Sequence, residues 1–163
     1  MSDIWVVNAS PIIVLAKVDR LHLLNSLCRE VLVPEAVIAE VLAGPPSDPA
    51  CQTLQRGWAL TVAPQTIPLG LLEWGLGTGE TAVLAVALER RPATAVLDDA
   101  AARTCAKALG IEVIGTLGVV LRAKKKAIIP SAAEVLKALR TAGLHLDEEV
   151  ARSALEGVGE TWQ

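Results

Sequence analysis

Five short runs of strand-forming residues, each separated from the next by a helical or loop stretch, constrain this chain more than any other feature. They are IWVV (4–7), EVLV (30–33), ALTV (59–62), TAVL (94–97) and IEVI (111–114). Each is largely apolar without strict alternation, the pattern of a strand buried on both faces. Between and after them the sequence predicts helices over 11–27 (in two pieces), 34–42, 78–88 and 100–109. Pro11 and Pro34 fall in first helical turns, where the missing N–H is tolerated. Strands that alternate with helices join through right-handed crossovers into a parallel sheet. An α/β fold with five parallel strands is the expectation. Further helical pieces at about 131–141 and 147–155 follow the last strand.

The chain's 163 residues suffice for one buried core. Hydrophobic residues make up 52% of it and mean hydropathy is +0.46, which raises the question of a membrane span. The longest uncharged run, 57–72, contains Pro64 and Pro68 and falls short of the ~20 apolar residues such a span needs. No membrane partner is expected, and the surplus apolar content suits the two faces of a parallel sheet plus a protein interface. RLHLLNSL (20–27) carries leucines on more than one helix face, so Leu21, Leu23 and Leu24 are the expected interface of a homodimer. GPPSDP (44–49) and APQTIPLG (63–70) read as loops, too short to link domains. A net charge of −3 argues against a general nucleic-acid coat and leaves room for a local basic patch. Cys28, Cys51 and Cys105 never approach a CxxC spacing, and His22 and His145 are isolated. A zinc site of the Cys/His kind therefore has no ligands, and reduced, packed thiols suit a cytoplasmic location.

The carboxylates carry more information. On a helix, the neighbours of Glu40 three and four residues away are Ala36, Val37, Ala43 and Gly44, an unusual face for a solvated glutamate. Glu80 follows GLGTG and opens a helix. Asp98 and Asp99 end a strand and precede a helix that needs only one N-cap, and Arg103 stands four residues after Asp99. Each has a bland explanation, as a helix-dipole carboxylate, a cap or a solvated helix end. As a set, Asn8, Asp98 and Asp99 belong to the carboxyl edge of the sheet, with Glu40 and Glu80 on helices beside it. Carboxylates gathered there repel one another unless a cation offsets them.

VVNASPIIVLAK, VPEAVIAEVL, GTGETAVLAVA and VLDDAAARTCAKALGIEVIGTLGVVLRAKKKAIIP resemble, in order and spacing, the PIN-domain family. The resemblance is nearest to a PIN-like branch related to the VapC-type toxins of toxin–antitoxin pairs. It covers residues 4 to about 130, which makes 1–130 a PIN-like domain and 131–163 a C-terminal helical extension of the same domain. What it implies is a three-layer α/β/α fold and a Mg²⁺- or Mn²⁺-dependent ribonuclease acting on single-stranded RNA, with an antitoxin protein as partner. The family's acidic positions fall on Asn8, Glu40, Glu80 and Asp98, with Asp99 beside the last as a further metal ligand. Ser10 matches a small hydroxyl residue that follows the first acid, and Arg103 and Lys124 are the expected phosphate contacts. Position 8 departs from the pattern, because Asn8 stands where the family has aspartate. An amide oxygen coordinates without bringing charge, so a weakened nuclease and a retired one are both compatible with it.

Two rivals come from other classes. GLGTGE (75–80) suggests a dinucleotide fingerprint, but no strand leads into it and its third glycine position is Glu80, which repels a pyrophosphate. The other rival is a non-catalytic PIN-like module that binds nucleic acid or protein, favoured by Asn8 and the apolar surplus. RAKKK (122–126) also reads as a helix end whose cations suit the dipole.

Overall fold

Each of the five runs forms a strand of one parallel sheet in the computed structural model, which describes residues 2–163. The strands are β1 (Ile4–Val7), β2 (Glu30–Pro34), β3 (Leu60–Val62), β4 (Thr94–Val96) and β5 (Glu112–Ile114). Their order is β3-β2-β1-β4-β5, with Val6 opposite Leu32 on one side and Ala95 on the other. The chain runs outward from β1 through β2 to β3, then returns to lay β4 on the other side of β1. That reversal makes a topological switch point at the carboxyl ends of β1 and β4, the place where open α/β sheets bind ligands.

Helices flank this sheet in a three-layer α/β fold: α1 (Ala9–Lys17), α2 (His22–Leu27), α3 (Glu35–Leu42), α4 (Pro49–Gln55), α5 (Leu69–Leu72), α6 (Thr78–Glu89), α7 (Ala100–Ala108), α8 (Thr116–Lys125), α9 (Ala132–Thr141) and α10 (Glu148–Glu156). Helix α6 is buried without a break from Thr81 to Ala87 and packs on α3, β1, β2 and β4. A helix apolar all round belongs inside.

Several sequence expectations are corrected here. Pro34 ends β2 and stands as N-cap of α3 rather than inside it. Helix α4 begins within the breaker cluster GPPSDP, where the Asp48 side chain accepts from the Ala50 N–H and Pro49 occupies the first turn. Helix α5 begins at Leu69 within the stretch expected as a loop. Leu21, Leu23 and Leu24 lie in the chain's own core, at 6%, 0% and 0% exposure, so they offer no surface for a homodimer. The exposed large apolar side chains are elsewhere, among them Leu60 on β3 and Leu69, Leu72 and Trp74 around α5. Among the described residues no helix is long and apolar enough to cross a membrane.

The C-terminal helices are tied to the sheet domain. Helix α9 packs on α1 and α8, and α10 packs on α8. Glu160 is the staple: it accepts from the N–H groups of Ala132 (2.8 Å) and Ala133 (3.1 Å) and from the Ser131 hydroxyl (2.9 Å), with the Lys124 ammonium 3.6 Å away. Burial alone would raise its pKa, but these donors outweigh that and hold it below the ordinary glutamate value. A depressed folded pKa adds stability above the unfolded value and loses it as pH falls through the folded one. Glu160→Gln should therefore cost about 1–3 kcal/mol at pH 7. The melting temperatures of variant and parent should converge in acid, below the ordinary carboxylate range. A gap independent of pH would remove the charge from this role.

Candidate active site

Asn8 follows β1 at the switch point. It has the extended backbone of an N-cap to α1, yet its side chain makes no capping bond. Its N–H donates to the Val96 carbonyl (3.1 Å), which pins it beside β4. The residue is 3% exposed, and its Oδ1 has no hydrogen-bond partner. A buried polar atom left unpaired costs about 1–3 kcal/mol, so its surroundings matter.

Those surroundings are set by Gly79 in the first turn of α6. A Cβ built on Gly79 would lie 2.8 Å from Glu40 Oε1 and 3.1 Å from Asn8 Oδ1. Two oxygens, from β1's end and from α3, thus border one small hollow that only a glycine leaves open. Burial raises the pKa of Glu40, and the charge of Glu80 raises it further. Glu80 in turn folds over Gly77, where a Cβ would meet its Oε2 at 2.5 Å. The GTG preceding Glu80 therefore does steric work, making room for both glutamates.

Asp98 lies just past β4, at the other side of the switch point. It accepts from the Thr116 N–H (2.7 Å), the Thr116 hydroxyl (2.7 Å) and the Ser10 hydroxyl (3.2 Å). Asp99 serves as N-cap of α7, accepting from the Ala102 N–H at 2.9 Å. The doubled aspartate is thereby divided: one caps, and the other is free to face the sheet edge. Arg103 donates to the Leu97 carbonyl (3.1 Å), and its Nη1 and Asp98 Oδ1 both border Gly115.

Asn8, Ser10, Glu80, Asp98, Asp99 and Arg103 line one end of a cleft of about 820 Å³. Glu40 is not on its wall and reaches this region only through the hollow at Gly79. Lys124 is placed outside the cleft, donating to the Pro130 carbonyl at 2.7 Å and facing Glu160. Among the described residues, no three His, Cys, Asp or Glu side chains gather tightly enough to form a ready-made metal cage. Three features of the site escape sequence reasoning: Gly79 as the hollow, Thr116 as the anchor of Asp98, and the wall formed by residues 143–150. Only the glycine spacing around Glu80 gave any signal of the first.

Gly79→Ala isolates the hollow. The alanine methyl would crowd both the Glu40 carboxylate at 2.8 Å and the buried Asn8 amide oxygen at 3.1 Å. We expect a loss of divalent-ion affinity of at least about tenfold. Unchanged affinity would show that Glu40 and Asn8 do not share a ligand.

The sequence profile of DUF3368, described as a PIN domain, matches residues 4–160. Comparison with curated proteins finds no match. Among solved structures, a PilT N-terminus domain protein from the hyperthermophilic archaeon Sulfolobus solfataricus P2 is similar, with a TM-score of 0.46 and 17% identity over 88% of this chain and 97% of that one.

Proposed function

Since the chain belongs to the PIN domain family, we propose that it is a ribonuclease that hydrolyses phosphodiester bonds with Mg²⁺ or Mn²⁺ held by Asn8, Glu40, Glu80 and Asp98. The observation that carries this reading is the buried, unpartnered Asn8 Oδ1 beside Glu40 Oε1 at Gly79. An amide oxygen with no donor and a carboxylate that resists ionisation are both satisfied by a cation. The donors are all oxygen, which suits a hard divalent ion. When bound, such an ion supplies an activated water and neutralises charge on the phosphoryl oxygens.

The chain's own residues do the rest. Thr116 and Ser10 fix the orientation of Asp98. Arg103, half-buried at the cleft's polar end, presents a guanidinium suited to a phosphate. Asp99 keeps its capping duty. In this reading residues 1–130 carry the nuclease module and 131–163 extend it, supported by the packing of α9 and α10 on α8. A role as the toxin of a toxin–antitoxin pair, acting on single-stranded RNA in the cytoplasm, fits the same reading, as does a homodimer through a face other than Leu21, Leu23 and Leu24. Asn8 leaves the site one negative charge short, so activity is expected to be weak and to need millimolar metal.

A fluorescently labelled single-stranded RNA tests this. Cleavage should require Mn²⁺, stop with chelator and disappear in a Glu40→Gln, Glu80→Gln double variant. Cleavage that survives both treatments would rule the reading out. A non-catalytic RNA-binding module is favoured by one specific observation, the uncharged Asn8 where the family has aspartate. It would bind the same RNA equally with and without chelator and never cut it.

A further inference from the structure

The cleft does not stop at its acidic end. Past Gly115 it continues between α8 and the segment leading into α10, where its walls are Leu117 and Leu121 on one side and Leu146 and Val150 on the other. Leu117 and Leu121 are one helical turn apart and share a face. Val150 remains 52% exposed although it lines a cavity. Leaving apolar surface open in this way forgoes about 25 cal/mol for each Å² that could be covered.

His145 lies on the same wall, exposed, with no hydrogen bond or ion pair to any described residue. Its neighbour Asp147 differs, because its Oδ1 caps α10 by accepting from the N–H groups of Glu149 and Val150. Gly143, at φ +117°, turns the chain out of α9 and sends residues 144–147 along the cleft. The cavity thus joins two chemistries. One end suits an anionic phosphate once a cation is present, and the other offers an apolar slot with a free imidazole.

We propose that the slot between α8 and residues 144–150 is a nucleobase subsite, holding the base of the nucleotide whose phosphate lies at the acidic end. The proposal rests on the metal-dependent reading of that end. Of common metabolites, a mononucleotide has this composition: a phosphate, a short polar sugar and a flat ring with apolar faces and a polar edge. The leucines and Val150 cover the ring's faces. The imidazole of His145 stacks on the ring or bonds to its edge, since it carries both a donor and an acceptor. His145 would then determine specificity without touching the reacting atoms.

The test uses the full chain with 5′-AMP, 5′-UMP and ribose 5-phosphate as probes. Saturation-transfer NMR is read on base and ribose protons in diamagnetic Mg²⁺ and again in chelator. Mn²⁺ affinity is measured calorimetrically on separate samples of the same protein. We expect the base protons to receive the strongest transfer, and at least one mononucleotide to bind about tenfold more tightly than ribose 5-phosphate. Val150→Asp and His145→Ala, both at exposed positions, should erase that difference and leave Mn²⁺ affinity unchanged. Ribose 5-phosphate binding as tightly as both mononucleotides, or base transfer indifferent to both substitutions, overturns the subsite. Absence of Mn²⁺ binding by the parent overturns the metal reading instead, while base transfer in chelator still decides the subsite.

Discussion

Asn8→Asp is expected to tighten Mn²⁺ binding by about ten- to a hundredfold, equivalent to about 1–3 kcal/mol. A unit charge added in contact with a divalent ion is worth far more than this in raw Coulomb terms, but desolvation and repulsion from Glu40 and Glu80 cancel most of it. The same repulsion sets the penalty without metal. Burial and the charge of Glu80 already raise the pKa of Glu40. A carboxyl with a raised folded pKa loses stability as pH climbs from its unfolded value through its folded one. A new aspartate at the buried position 8 raises Glu40 further and is itself hard to ionise. The metal-free variant should therefore melt below the parent, with the gap widening as pH rises above the ordinary carboxylate range. Saturating Mn²⁺ should close or reverse that gap, and RNA cleavage should rise with metal occupancy. Unchanged affinity, melting and cleavage would mean that position 8 is no ligand.

Asp98→Ala is expected to have the largest effect on stability. It leaves the Thr116 N–H and hydroxyl and the Ser10 hydroxyl without their common acceptor. Charge-assisted bonds of this kind point to a loss of about 2–4 kcal/mol. For a domain of this size that is a fall of roughly 5–15 °C in melting temperature. Asp98→Asn separates structure from chemistry. Its amide oxygen still accepts from the Thr116 N–H, so the thermal loss should be smaller, while cleavage falls as far as in the alanine variant. An asparagine variant that cuts RNA like the parent would remove Asp98 from the metal site.

The strands and most helices were legible because they are written in local patterns: apolar runs such as IWVV and TAVL, and helix starts at Ala100 and Thr78. The strand order was not, because nothing local to TAVL says that it pairs with β1 rather than β3. Helix α4 was hidden because Pro49 and Asp48, which start it, are also the residues of a turn. The leucines of α2 misled for a physical reason. Leucines on several faces of a short helix signal an interface only if one face lacks a partner, and here α2 is covered by α8 and β2. For the site, residue types and strand ends indicated Asn8, Glu80 and Asp98 without revealing how they are held. Thr116 anchors Asp98 from 18 residues away in sequence, a relation that only the parallel pairing of β4 with β5 creates. Lys124 belongs to a basic run, and its partner Glu160 lies 36 residues further on, a pairing no local pattern announces.

The most direct measurement is anomalous diffraction from crystals of the full chain soaked in Mn²⁺. Cation binding by the switch-point residues requires a peak contacting Asn8 Oδ1 and Glu40, within direct or water-mediated reach of Glu80 and Asp98, and absent after soaking in chelator. Saturating Mn²⁺ that leaves no peak there, or places its only peak away from Asn8 and Glu40, would contradict it.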